Sequence, residues 1–518
     1  MNDSDKLKAF GEISPEFIDS AAKLKKRKPL RAAIMTAAAI AAAVGAFFAV
    51  RAMLPKADDK TAAGETPAPV VTQQAELTEE APEKTPAPTN PMDYLELFDP
   101  NATHAPESDR QKRLRENAVA PASVPAAPVS ILSDDFYSYY HGVRTGAEGI
   151  NKALEEFYEH ATAEFLLLGD KGENAVCSPL NVYMALAMLA ECTGGETQRQ
   201  LLDLLGSESI EGLRDQAGKL FLLNYYDCDA MQSIPSASLW VNTQYGNALN
   251  RDALQRLSED HHASVYSGDM GDPAFSALLR EWLNESTGGM LEDQIGDIHF
   301  DPEEMMRIVS SLYFKSFWDY RFNESANTEE LFHSPTGDET VTFMHGGGNL
   351  YYEYPGFTMV KKGLTSSNVW LVLPNEGTEL EELVKSGSVM EAIISDSYDY
   401  AVDGAIIHLH MPKFDVSSRL DLKEGLMRMG VRDCFTTEAD FSPLTSADGA
   451  YVTSVQHGVR VKVDEEGVSG AAYVMIPIAG AMPPQREVDF TLDRPFMFVI
   501  TGSSGTPLFA GTVYHPAG

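Results

Sequence analysis

The chain has 518 residues, 44% hydrophobic and 22% charged, which is enough for one large or two ordinary domains. A formal net charge of -36 argues against a nucleic-acid binder, which needs a basic face, and reads instead as an acidic surface with acidic tails. The four cysteines (Cys177, Cys192, Cys228 and Cys434) form no Cys-x-x-Cys pair and are too sparse for a disulfide scaffold, so they read as free, mostly buried thiols.

The N-terminus is organised for a membrane. From Ala32 to Val50 every residue except Thr36 is apolar or glycine, and Arg31 and Arg51 close the run. Its length matches the roughly twenty residues of a spanning helix. The basic stretch from Lys23 to Lys28 holds the preceding side in the cytoplasm by the positive-inside rule. Residues 1–30 are therefore expected as a cytoplasmic tail and 31–53 as a transmembrane anchor, which makes the protein single-pass with an extracellular domain. A cleaved signal peptide and a secreted product is the competing reading; the long charged lead and Arg51 at the cleavage point oppose it. Residues 54–146, rich in Pro, Ala, Thr and Glu, cannot bury enough apolar area to offset their ordering entropy and are expected as a disordered tether.

From 147 to 518 the chain reads as one domain. Residues 150–167 carry Leu154, Phe157, Tyr158, Ala161 and Phe165 at helical spacing. Tyr183 to Leu189 is apolar almost all round, a buried helix, and Gln198 to Leu205 is a short helix closed by Gly206. Strand-like runs follow at 238–241, 305–314, 369–374, 406–411, 458–463, 496–501 and 508–514. Helices first and strands later, without βαβ alternation, indicate an α+β fold around large antiparallel sheets.

One stretch stands apart. Lys462-Val463-Asp464-Glu465-Glu466-Gly467-Val468-Ser469-Gly470-Ala471-Ala472 is an acidic pair, a glycine and small residues, and an apolar loop then reaches Met482-Pro483-Pro484. Small side chains suit a surface segment that must later slide between two strands. The pattern resembles the hinge and reactive loop of the serpins, the suicide inhibitors of proteases. Further pieces resemble that family in its order: Asn174 to Asn181 with Ser178-Pro179, Thr193-Gly194-Gly195-Glu196-Thr197, Trp282-Leu283 with Thr287, Gly289 and Leu291, Ser310 to Lys315 with Trp318 and Phe322, Leu409 to Phe414, and Asp493-Arg494-Pro495-Phe496 with Pro507 to Gly511. They span the whole domain.

The resemblance implies a serpin fold with large antiparallel sheets, about nine helices and an exposed reactive-centre loop. It places Ser178, Asn181, Ser310 and His457 in a polar shutter under the opening point of the central sheet, with serine where the family has asparagine at position 310, so that arm is shorter. It places Trp318, Lys413 and Glu465 in a breach at the top, as an ion pair beside a tryptophan. The hinge comprises Glu465, Gly467, Val468, Ser469, Gly470, Ala471 and Ala472. Val468, Gly470, Ala472, Val474, Ile476 and Ile478 would share one face on insertion, and burying four aliphatic side chains there contributes roughly 6–12 kcal/mol. Two departures oppose insertion: Tyr473 is bulky, and Pro477 lacks a ladder donor. The family's scissile bond follows the hinge glutamate by about sixteen residues, which gives Ala481-Met482, open to a slip of a residue or two.

Small apolar residues around that bond point to an elastase-like or subtilisin-like serine protease as partner, with a cysteine protease as the alternative. The implied function is protease inhibition, not catalysis, by a monomer that needs no cofactor or metal; a non-inhibitory binding or structural module is the other reading. His345-Gly346-Gly347-Gly348 resembles a lipase oxyanion loop, but no Gly-x-Ser-x-Gly elbow accompanies it and a glycine turn between strands is the plainer reading. The adjacent His261 and His262 cannot line one face at metal-ligand spacing.

Overall fold

The computed structural model describes residues 118–120, 149–228, 231–468 and 486–517, all within the compact unit Ala87–Gly518. The anchor and basic flank expected before residue 54 lie outside the described residues. No helix among those described is long and apolar enough to cross a membrane.

Ten α-helices occur among them, against about nine expected. The surplus has a local cause: α1 (Ile150–Ala153) and α2 (Glu155–Leu166) are separated only by Leu154, whose backbone leaves the helical region. Then come α3 (Pro179–Cys192), α4 (Gly195–Leu204), α5 (Ile210–Asn224), α6 (Arg251–Glu259), α7 (Pro273–Ser286), α8 (Leu380–Lys385), α9 (Ser388–Ser395) and α10 (Lys423–Arg428). Helix α3 starts where the sequence says it must. Ser178 accepts from the backbone N–H of Asn181, and Pro179 occupies the first turn, where its missing donor costs nothing. All of α3 except Ala185 is buried, as an apolar sequence without a polar stripe requires.

Three sheets carry the domain. The central one comprises β1 (Ala118–Ala120), β3 (Tyr226–Cys228), β4 (Met231–Asn242), β5 (Ala263–Gly268), β6 (Met306–Phe317), β13 (Phe414–Asp421), β14 (Gln456–Val463) and β15 (Gly467–Val468). Its order is β1-β5-β4-β6-β15-β14-β13, with β3 paired to β4. The second has the order β2 (Ala175–Cys177), β18 (Pro507–Val513), β17 (Phe496–Thr501), β11 (Ser367–Pro374), β10 (Phe357–Leu364) and β9 (Leu350–Tyr354). The third has the order β16 (Glu487–Thr491), β12 (Ile406–Pro412), β8 (Gly337–Gly347) and β7 (Thr328–Ser334). Pairing is antiparallel except for β4 with β5 and β12 with β16.

Within the stretch expected as a tether over 54–146, β1 pairs antiparallel with the β5 edge, Ala118 with Tyr266 and Ala120 with Val265. Edge pairing needs only backbone donors and acceptors, so a three-residue alanine-valine run gives no compositional signal for it. His345, Gly346 and Gly347 also lie inside β8 rather than in a turn. A Cβ on Gly346 would stand 2.8 Å from the Phe322 ring, so glycine there permits close packing. Cys177, Cys192 and Cys434 are buried free thiols, as expected.

The main core lies between α2, α3 and the two larger sheets. A separate cluster of Trp240, Tyr266, Phe275, Leu279 and Trp282 packs α7 onto the opposite face of the central sheet. Both faces of the sheet are thus covered.

Candidate functional site

The central sheet has a seam. Strands β6 and β14 run parallel, and what joins them among the described residues is the two-residue strand β15, antiparallel to both. Gly467 lies opposite Phe317, and Val468 lies opposite Ser316 on one side and Val463 on the other. Below Val468 a cleft opens, lined by Asn181, Ser311, Tyr313, Val459 and Val461. Gly467 is required sterically: a Cβ there would sit 2.2 Å from the Ser316 carbonyl oxygen. Val468 is 3% exposed, so the face assigned to it from alternation is the core face. Ser469, Gly470, Ala471, Ala472, Ala481 and Met482 lie outside the described residues.

The shutter residues meet beneath this cleft. Ser178 donates through its hydroxyl to the Leu508 carbonyl (2.6 Å), and its backbone N–H donates to Nε2 of His457 (3.0 Å). The Asn181 side chain donates to the Ser310 carbonyl (3.4 Å), and the Ser310 hydroxyl donates to the Asn181 carbonyl (3.3 Å). The short serine arm therefore reaches its partner directly, through backbone oxygens. His457 is buried, which pushes its pKa down to about 4 and keeps the ring neutral, the state in which Nε2 can accept.

At the top of the seam, Lys413 pairs with Glu465 at 2.5 Å, and Asn327 donates to the same carboxylate oxygen. Burial opposes ionisation of Glu465, but the Lys413 ammonium and Asn327 amide hold its carboxyl below the usual range. The pair is only partly buried, since the Lys413 side chain is 36% exposed. Three backbone contacts complete the latch. Trp318 donates its indole N–H to the Asp464 carbonyl (2.8 Å) and its backbone N–H to Glu466 (3.1 Å), and Phe322 N–H donates to the Glu465 carbonyl (3.2 Å).

Behind Trp318 stands a residue that sequence reasoning missed. The buried Lys362 ammonium donates to the carbonyls of Gly347 (2.8 Å) and Tyr320 (3.1 Å) and faces the rings of Phe322 and Trp318 at 4.5 and 5.2 Å. Desolvation pushes its pKa down to about 8, against the pull of Asp319. Asn327 was missed as well. Lys361-Lys362 reads as an ordinary basic pair, and Asn327 carries no motif; only the folded strands bring either to the latch.

A family model described as Serpin (serine protease inhibitor) matches residues 161–516. Putative serpin-Z12 from Oryza sativa subsp. japonica is 28% identical over 67% of this chain and 86% of its own length. Plasminogen activator inhibitor 1 from Bos taurus is 25% identical over 67% and 88%. Among solved structures, the thermophilic serpin tengpin in its native state aligns with a TM-score of 0.62 at 25% identity, covering 71% of this chain and 94% of that one.

Two predictions follow from the geometry. An unfolded histidine titrates near pH 6.5, so between about pH 6.5 and 4 the unfolded chain binds a proton that native His457 refuses. Its contribution is complete above pH 6.5 and is lost as pH falls toward 4. Comparing urea unfolding at about pH 7 and about pH 4.5, His457→Gln should lose roughly 2–3 kcal/mol less stability than wild type; equal losses would contradict the neutral shutter. In a double-mutant cycle, Lys413→Met and Glu465→Gln should couple by about 0.5–3 kcal/mol, whereas additive effects would mean the latch is held by backbone contacts alone.

Proposed function

Because the chain belongs to the serpin family, we propose that it inhibits a serine-type protease by inserting its cleaved loop into the seam between β6 and β14. The protease serine would attack the Ala481 carbonyl, forming an ester as the Ala481-Met482 amide breaks and Met482 leaves as a protonated amine. The hinge end then zips into the sheet and carries the acyl-enzyme away from the top of the domain.

The observation that supports this reading most is the register at β15. Continuing the pairs Gly467–Phe317, Val468–Ser316 and Val468–Val463 one residue at a time sets every later contact. On insertion Gly470 would fall between Phe314 and Val461, Ala472 between Leu312 and Val459, and Val474 between Ser310 and His457. All three flanking β14 residues are buried, so this face of the loop would enter the core.

The same register bears on the two objections from sequence. Tyr473 would lie opposite Gly458, the single position in β14 without a side chain. A Cβ on Gly458 would have only ordinary contacts there, the nearest 3.7 Å away at Leu291, so the ring has room to lie over the glycine. Pro477 would fall opposite Arg307, one residue from the end of β6 and beyond the start of β14, where a missing donor costs least.

The small apolar bait favours an elastase-like or subtilisin-like target. The apolar run at 32–50 supports display of the domain on the outer side of a membrane by its N-terminal anchor. Release of the domain by protease treatment of intact cells is the expected result; protection until lysis would reverse the orientation.

Incubation with pancreatic elastase should give a covalent complex that survives a denaturing gel; clean cleavage without it would favour a non-inhibitory module. Ala472→Glu would force a carboxylate between Leu312 and Val459, a cost of several kcal/mol without a partner. That variant should be cut as a substrate and leave little or no complex. Undiminished trapping by it would exclude insertion. Gly458→Val, which fills the space offered to Tyr473, should also shift the outcome toward substrate, and a simultaneous Tyr473→Ala should restore complex formation.

A further inference from the structure

The four-stranded sheet carries a side-chain cluster that neither the seam nor the core uses. Glu330 on β7, His345 on β8 and His410 on β12 converge at one place on it, each half-buried. His345 and His410 are direct cross-strand partners, and their rings meet edge to face with centroids 4.5 Å apart. A Glu330 carboxylate oxygen lies 3.3 Å from Nε2 of His345. One donor atom from each of the three residues lies within 4.8 Å of the other two.

In a tetrahedral site with bonds of about 2.0–2.1 Å, ligand atoms stand about 3.3–3.4 Å apart. The Glu330–His345 edge already has that length, and the His410 donor atom lies within 4.8 Å of both. The Thr328 hydroxyl bridges the same two groups, hydrogen-bonding to Nε2 of His345 at 2.6 Å and to the Glu330 carboxylate. It occupies the position that a coordinated ion would contest. We propose that Glu330, His345 and His410 form a binding site for a divalent transition metal of the zinc type. These are three protein ligands of imidazole and carboxylate character, and they leave the fourth position to water. A surface polar cluster without an ion needs no pair of histidines packed edge to face beside a carboxylate from a third strand, whereas the metal site needs that set.

The site's place in the chain gives it a consequence. Thr328 directly follows Asn327, and His410 is three positions before Lys413; Asn327 and Lys413 are the two side chains that hold Glu465. A bound ion would tie β7, β8 and β12 together beside the latch.

The test uses the full chain, zinc and cobalt. Competition against a chromogenic zinc chelator should show one zinc bound per chain. Cobalt(II) should give the intense visible bands of a four-coordinate site. His345→Ala and His410→Ala should each weaken zinc by at least about tenfold and abolish the bands. Glu330→Gln, nearly isosteric and able to keep its contact with Thr328, should weaken binding too, with unchanged circular dichroism and thermal midpoint in the metal-free state. Absence of stoichiometric zinc in the wild type, or undiminished binding by the His345→Ala/His410→Ala double variant, would overturn the site.

Discussion

The rest of the domain depends on a seam in the central sheet, where among the described residues only β15 joins β6 to β14. Buried backbone donors and acceptors need partners, and a central sheet covered on both faces gives water little access to supply them. Here β6 and β14 are bridged by two residues of β15 at the top, with a cleft below. Such an arrangement stays open only if its two ends are held by something other than ladder hydrogen bonds. The top is held by Glu465 and the Trp318 contacts, the region beneath the cleft by Ser178, Asn181, Ser310 and His457. Gly467 sits where backbone approaches backbone too closely for any side chain.

The two ends are built from different chemistry, and burial decides how each responds. The latch pairs charges at a half-exposed lysine, so solvent and salt screen much of its Coulomb attraction. Its strength therefore comes in large part from three backbone hydrogen bonds around Trp318 and Phe322, and the buried Lys362 stiffens those two rings from behind. The shutter is neutral and buried at Ser178, Asn181 and His457, with Ser310 half-buried. Its hydrogen bonds are individually modest, but leaving any of them unmade strands a buried polar group at a cost of about 1–3 kcal/mol. Salt should reach the top of the seam and acid the bottom, and the two ends can yield separately.

Much of this was legible before folding was considered. The hinge, Ser178-Pro179, His457 and the Lys413–Glu465 pair all sit in local motifs that survive as short strings; in the structure Ser178 is hydrogen-bonded to His457 and Lys413 is ion-paired with Glu465. Buried helices announced themselves by apolar periodicity, as α3 did. What could not be read arises from strands meeting at a distance. Asn327 reaches Glu465 across 138 residues. Lys362 is an unremarkable lysine until Tyr320 and Gly347 present their carbonyls to it. The third sheet's β7 and β8 went unread because their alternation is diluted by exposed charge and glycine, and with them went the only view of His345 beside His410. Strand β1 had no side-chain signal at all.

A strand that enters a sheet one residue out of step exposes every apolar side chain and buries every polar one. The pairing of Val468 with Ser316 and Val463 before any cleavage removes that ambiguity, because the first rung is already made. From there β6 has ten more residues to offer, Lys315 back to Met306, and on the continued register Met306 would meet Ile478. At about 3.3 Å per residue, thirteen residues separate Val468 from Ala481 by roughly 43 Å of extended chain. A compact unit of this size has a diameter of roughly 50 Å, so full insertion would carry an acyl-bound protease nearly from one pole to the other. On the proposed mechanism, the number of rungs that β6 and β14 supply, set against the length of the small-residue hinge, would fix both how far a captured protease travels and how much of the loop's apolar face is buried on the way.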